Sequence, residues 1–153
     1  MTAEELLERY AAGGRDFSGV NLSGIKFMEQ ANLSSINLTG ANLSQVEMLY
    51  ANLSDANLSG TNLSNGVFGV ANLRGANLSN ANLHGANIGG ADLTGCNLTG
   101  CDLTASILIG VNFENANLRD SSLFQASEMN LSFFKNTTMP DGSLIVEAFR
   151  YSC

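Results

Sequence analysis

The chain has 153 residues, the size of one domain. Its apolar content is 44%, with Leu, Ile and Phe evenly spaced from end to end, which excludes a disordered chain. A formal net charge of −7 argues against nucleic acid as a direct partner, and no window approaches the roughly 18 apolar residues of a membrane helix.

The first ten residues, "MTAEELLERY", are acidic and amphipathic and lack the basic start and unbroken apolar core of a signal peptide. Thr2-Ala3-Glu4-Glu5 fits a capping box, with Thr2 as N-cap and Glu5 reaching back. Leu6, Leu7, Tyr10 and Ala11 share one helical face, and Gly13-Gly14 ends the helix. Residues 1–14 are expected to form a lid over the first turn of the chain beyond them.

From Asp16 onward the chain is built on a five-residue repeat. "ANLSQ" at 41–45, "ANLSD" at 51–55, "ANLSG" at 56–60, "ANLSN" at 76–80 and "ADLTG" at 91–95 are near copies. Taking Leu as the centre, centres fall at 17, 22 and 27, slip by one residue, and run from 33 in fives to 123. The frame then continues, more weakly, through Glu128 to Phe133. A period of five keeps no face of a 3.6-residue helix, and Asn and Gly are poor helix formers. Ala-Asn-Leu reads instead as a short strand with Ala and Leu on one face and Asn on the other. The Ser-Gly pair supplies a corner. The chain is therefore expected to coil, with Ala and Leu inside.

Units that break the pattern give the number of sides. They are "IKFMEQ" at 25–30, "VEMLY" at 46–50, "GVFGV" at 66–70, "SILIG" at 106–110 and "ASEMN" at 126–130, with the milder "ANIGG" at 86–90. They recur every 20 residues, which is four units, so the coil has four sides and the odd units stack on one of them. That side carries outward apolar residues: Met28, Leu49, Tyr50, Val67, Val70, Ile107, Ile109 and Met129. A contiguous apolar strip marks a contact site. The coil spans residues 15–135, about six turns, on the order of 30 Å at the usual strand spacing. Phe113 and Phe133, one turn apart, are expected to stack their rings inside. In the tail, 136–153, Pro140-Asp141-Gly142 makes a turn, and "SLIVEAFRY" is a second cover or a pairing strand, long enough to fold back over part of the apolar side.

No constellation for chemistry emerges. Cys96 and Cys101 take the inward Ala place and read as core residues, without the spacing of a zinc site; a disulfide between them is conceivable in an oxidising compartment. Cys153 reads as a free thiol and His84 as a solvated side chain. Asp92 and Asp102 lie on opposite sides and cannot flank one bond. The glycines form no phosphate loop. The chain is expected to be no enzyme, with no cofactor and no metal. Triplets such as those at Asn32, Asn37 and Asn42 match the glycosylation pattern. Glycans so dense are incompatible with packed coils, which points to a bacterial cytoplasmic chain.

The consensus A-(N/D)-(L/F)-(S/T/R)-X, held from about Asp16 to Lys135, resembles the pentapeptide repeat proteins; the start and the tail segment "NTTMPDGS" resemble cyanobacterial members. The resemblance implies an all-β, right-handed quadrilateral β-helix. It also implies two functions to weigh. The first is a non-catalytic interaction or structural module whose partner is another protein or a second copy, a homodimer. The alternative is a DNA mimic that binds DNA gyrase or topoisomerase, as some members do. Duplex DNA carries roughly 17 charges over such a length, whereas residues 16–135 hold nine acids and four bases, a net of −5. An ordered polar array for ice or ligand is broken by Arg74, His84, Glu114 and Phe124.

Overall fold

The computed structural model describes residues 1–126 and 129–150. Helix α1, Ala3–Ala11, opens the chain. Thr2 Oγ1 accepts from the Glu5 N–H at 3.1 Å, and the Glu5 carboxylate accepts from the Thr2 N–H at 2.7 Å. This box satisfies donors that a helix start leaves open. Leu6 is fully buried, and Leu7 and Tyr10 pack against the same core, while Ala11, in the last helical position, is exposed. The Tyr10 hydroxyl donates to the Ser34 carbonyl at 2.8 Å, tying the helix to the coil.

Beyond α1 the chain coils with four sides per turn. Parallel bridges join Asn57, Asn77, Asn97 and Asn117 on one side, and Asn42, Asn62, Asn82 and Asp102 on the next. The strand expected at each Ala-Asn-Leu is reduced to a single bridge residue, because a corner comes after three residues. We number the sides by their centres: the first holds Leu33, Leu53 and Leu73, the second Leu38, Leu58 and Leu78, the third Leu43, Leu63 and Leu83, and the fourth Met48, Phe68 and Ile88. All of these are buried.

The repeat accounts for every backbone N–H in a unit, as residues 56–60 show. The Ala56 N–H closes the preceding corner on the Leu53 carbonyl at 3.1 Å. The Asn57 N–H reaches back one coil to Ile36, and the Leu58 N–H reaches forward to Asn77. The Gly60 N–H donates to the Ser79 carbonyl of the next coil. The remaining donor, Ser59 N–H, is taken by the Asn57 side-chain oxygen at 3.2 Å. Asn is thus required by a bond its own unit cannot otherwise make, and complete pairing is what a tightly coiled backbone needs. The Asn amides also bond between coils, as from Asn52 to Asn32 and from Asn72 to Asn52.

Residues at the inward small position can carry a hydroxyl, because a centre carbonyl of the preceding coil waits for it. Thr61 Oγ1 donates to Leu38 at 2.8 Å, Thr137 Oγ1 to Phe113 at 2.7 Å and Cys96 Sγ to Leu73 at 2.8 Å.

The frame slips twice. Asp16, Asn21 and Lys26 pair with residues 21 further on, whereas Asn32 pairs with Asn52. At the far end Asn112 pairs with Phe133 and Asn117 with Thr138, again 21 apart. This second slip corrects the expected ring stack: Phe134, not Phe133, is buried and stacks on Phe113, with centroids 5.1 Å apart and planes 11° apart. Phe133 takes the bridge position and is half-buried. Ser132 decides the register, since its hydroxyl fills the inward place and donates to the Leu108 carbonyl. The centre expected at Glu128 lies outside the described residues.

Four short strands close the C-terminal end: β1 Phe133–Phe134, β2 Thr137–Thr138, β3 Leu144–Ile145 and β4 Phe149–Arg150. β3 returns antiparallel to β2 through the turn at Pro140–Gly142, and β4 pairs antiparallel with β1. The tail therefore covers the open edge of the last coil, where unpaired backbone would invite further strands. Among the described residues it pairs on the first and second sides and not with the fourth.

Candidate interaction side

The fourth side is built from the odd units. Met28 is 79% exposed, Val70 54%, Tyr50 49% and Ile109 37%, while Leu49, Val67, Ile107 and Met129 are half-buried. Met129 also packs against the core. Val67 and Ile107 hold the place of Asn: the bridges of this side run Lys26, Glu47, Val67, Asn87, Ile107. The structure thus places these eight residues in neighbouring positions on one side.

Each corner sets its last residue in the left-handed region, the pattern of a type II turn. Elsewhere that place is held by Gly, Asn, Asp, Ser, Gln or Ala. On the fourth side it is held by Gln30, Tyr50, Val70, Gly90, Gly110 and Leu131. Val70 has φ 56°, a conformation in which a β-branched side chain is a genuine outlier. Tyr50 and Leu131, at φ 58° and 65°, carry bulk there too. The sequence reading omitted Leu131, which is 61% exposed, because the second slip moves it from an apparent strand place into this corner row.

A second local loss coincides with the first. On this side, where neither Asn nor Asp holds the bridge place, the N–H two residues on lacks the oxygen that the repeat supplies elsewhere. Gly89 keeps its bond to Asn87 at 3.0 Å. Among the described residues, the N–H groups of Leu49, Gly69 and Ile109 are given no such oxygen, since Glu47, Val67 and Ile107 precede them.

The relief is uneven. Tyr50 and Val70, about half exposed, stand at successive corners, with Leu49 beside Tyr50. Val70, Asn87, Gly89, Gly90, Ile107, Ile109 and Gly110 line an open hollow. A smaller hollow lies beyond, lined by Gly110, Asn112, Leu131 and Phe133, and another at the opposite end is lined in part by Leu7, Ile25, Lys26 and Met28. The three central odd units, 66–70, 86–90 and 106–110, contain no ionisable side chain. At the N-terminal end Lys26 pairs with Glu47 at 2.7 Å, an exposed pair that cancels charge but adds little stability.

The other candidates remain apart. Cys96 and Cys101 are buried, and burial pushes both thiols up to about 12, far from a nucleophile. Cys153 lies outside the described residues. His84 is exposed. Asp92 pairs with Arg74 at 3.0 Å on the first side, while Asp102 is on the third and accepts from the Thr104 N–H at 2.9 Å. Among the described residues no group of three or more His, Cys, Asp or Glu is placed to hold a metal ion, and no helix is long and apolar enough to cross a membrane.

Comparison with solved structures finds HetL, a pentapeptide repeat protein involved in heterocyst differentiation regulation in Nostoc sp. strain PCC 7120. It is 23% identical, over 94% of this chain and 99% of HetL, with a TM-score of 0.30. The pentapeptide repeat protein alr5209 of Nostoc PCC 7120 is 35% identical over 76% of this chain and 80% of its own, with a TM-score of 0.37. QnrB1, a plasmid-mediated fluoroquinolone resistance protein, is 16% identical over 86% and 80%, with a TM-score of 0.38. No curated protein matches the chain. The family model for pentapeptide repeats matches in eight copies, over residues 28–65, 67–100 and 96–127. With the bridges, corners and Asn bonds of the coil repeating at that same period, the chain belongs to the pentapeptide repeat family.

Proposed function

We propose that the protein is a non-catalytic interaction module, and that the fourth side of its coil, through Met28, Leu49, Tyr50, Val67, Val70, Ile107, Ile109 and Met129, is the surface it offers to a protein partner. The observation that carries this reading is a coincidence of costs. Among the described residues, it is on the fourth side that bulky residues stand in left-handed corners beside bridge places that have lost Asn, and the residues gained are apolar and partly exposed. Each cost is of the order of 1 kcal/mol, and the coil gains no packing from the exposed atoms. A side maintained against its own stability is a side used for something else.

In this reading residues 1–14 are the N-terminal cap, 15–135 the coil and 136–153 the C-terminal cap, and the protein works in the cytoplasm of a bacterium. The acids lend no support to a duplex mimic: Asp92, Asp102 and Asp120 stand on the first, third and second sides, and Asp92 and Glu114 are ion-paired with Arg74 and Lys135. The test is affinity capture from the native host with wild type and with Val67→Asp, Ile107→Asp, both checked by circular dichroism. Retained folding with loss of the captured protein is expected. Equal capture by both folded proteins would sink the reading.

A further inference from the structure

Resting on that reading, we infer that the partner of the fourth side is a second copy of this chain, paired face to face and antiparallel about a two-fold axis that crosses the coil between Val70 and Gly90. An axis in the plane of the side and perpendicular to the coil keeps each row of residues opposite itself and reverses the order of coils. Along the corner row the order is Tyr50, Val70, Gly90, Gly110. Reversed, it sets Tyr50 against Gly110 and Val70 against Gly90, so the corner side chains of one copy enter the hollow of the other, twice. The row beside it reads Leu49, Gly69, Gly89, Ile109. Reversal sets large against large at its ends and glycine against glycine at its middle, where the two backbones approach most closely.

The ends obey the same symmetry. The first and last units of this side are the two six-residue units, 25–30 and 126–131. In both, the corner closes on the carbonyl of a methionine at the fourth place: Ala31 N–H to Met28 at 3.3 Å, and Ser132 N–H to Met129 at 3.0 Å. Reversal brings these two six-residue units together.

Repeat spacing favours a copy over an unrelated partner. Only another coil with the same rise, about 4.8 Å per turn, keeps corner side chains and hollow in phase along the whole side. Charge permits the contact. Each copy carries −7, yet the three central units are uncharged, and Glu47, already paired with Lys26, falls opposite Ile107 rather than an acid. Six coils of this spacing and a width of about 10 Å give on the order of 300 Å² per copy, below the ~800 Å² per partner of a standard interface. The dimer is therefore weak and reversible.

Sedimentation velocity of the full chain from about 10 µM to 1 mM reads this directly. The weight-average mass should rise from monomer towards dimer with concentration. Val70→Asp keeps a residue type that left-handed corners accept and should raise the dissociation constant at least tenfold. Gly89→Leu should do the same by filling the hollow, since a Cβ there meets nothing closer than Asn87 Oδ1 at 3.3 Å. Unchanged circular dichroism is expected for both. For the direction of pairing, Leu49→Cys and Ile109→Cys are made with Cys153→Ser and oxidised alone and mixed; mixed 49–109 links should exceed 49–49 links at least tenfold. A wild type that stays monomeric at 1 mM, a dimer insensitive to both side variants, or dominant 49–49 links overturns the inference. Monomeric wild type with captured partner still lost in Val67→Asp, Ile107→Asp overturns self-pairing alone and leaves the contact reading standing.

Discussion

Asn at the bridge place and Val70 at the corner sit at opposite ends of what the repeat asks of a residue. Asn gives its side-chain oxygen to an N–H that nothing else in the unit can reach, and Val70 occupies a backbone conformation that its branched side chain opposes. Val67→Asn would restore the missing oxygen for the Gly69 N–H. It should stabilise the protein by about 1 kcal/mol in urea denaturation, the net worth of one such bond. Val70→Gly should add about 0.5–1 kcal/mol by removing left-handed strain, less the entropy glycine costs. Both changes should weaken the fourth side's contact while strengthening the fold; destabilisation by either would mean that the apolar residues belong to the core. Acids at the bridge place add a pH dependence. Thr104 hydrogen bonding holds Asp102 below its ordinary 3.8, and at Asp92 partial burial, which raises the value, is outweighed by Thr94 and Arg74. A depressed carboxylate contributes stability above 3.8 that is lost as pH falls through its lower folded value. Wild type should therefore lose more stability between pH 5 and pH 2 than Asp92→Asn, Asp102→Asn, measured by denaturant midpoint at each pH.

At the scale of elements, what was legible in the sequence came from its period. A five-residue unit and a 20-residue recurrence of odd units are enough to give four sides, an inward Ala and Leu, and an outward Asn. The N-terminal box was legible because capping is local: Thr2 and Glu5 are three residues apart and need no distant partner. The second slip was not. Residues 129–135, "MNLSFFK", offer two adjacent Phe residues as centres, and counting in fives selects Phe133. Only the buried carbonyl of Leu108, waiting for the Ser132 hydroxyl, places Phe134 inside. The strain and the missing Asx bonds of the fourth side were illegible as well, since both need backbone angles that a string of letters does not carry. The lid has its own test. Leu6 is the one fully buried residue of α1, so Leu6→Ala should cost about 2–5 kcal/mol. If α1 only covers the first coil, hydrogen exchange should quicken first at the amides of Phe17 and Leu22 and least around Leu98. Uniform quickening along the coil would show instead that the helix is part of one indivisible folding unit.

For the whole molecule, stacking supplies cohesion: each coil touches only its neighbours, so stability is a chain of similar interfaces closed at two capped ends. Whether such a chain opens piecewise or all at once is readable from two thiols already in its interior. Cys96 and Cys101 sit at the inward place of adjacent sides of one coil, four coils beyond α1 and one before the coil that the tail covers. With both thiols pushed up to about 12, neither reacts with a thiol reagent near pH 8 until water reaches it. In a Cys153→Ser background the folded protein should show no labelling, and urea should release two thiols together. If the coil unfolds as one unit, their release tracks the circular dichroism transition with the same midpoint. If the C-terminal coils fray separately, the thiols react at lower urea than the loss of coil signal, and Leu6→Ala, acting at the far end, should leave that early phase where it is. A shift of the early phase by Leu6→Ala would mean that the two caps are coupled through every coil between them, which nearest-neighbour stacking alone does not provide.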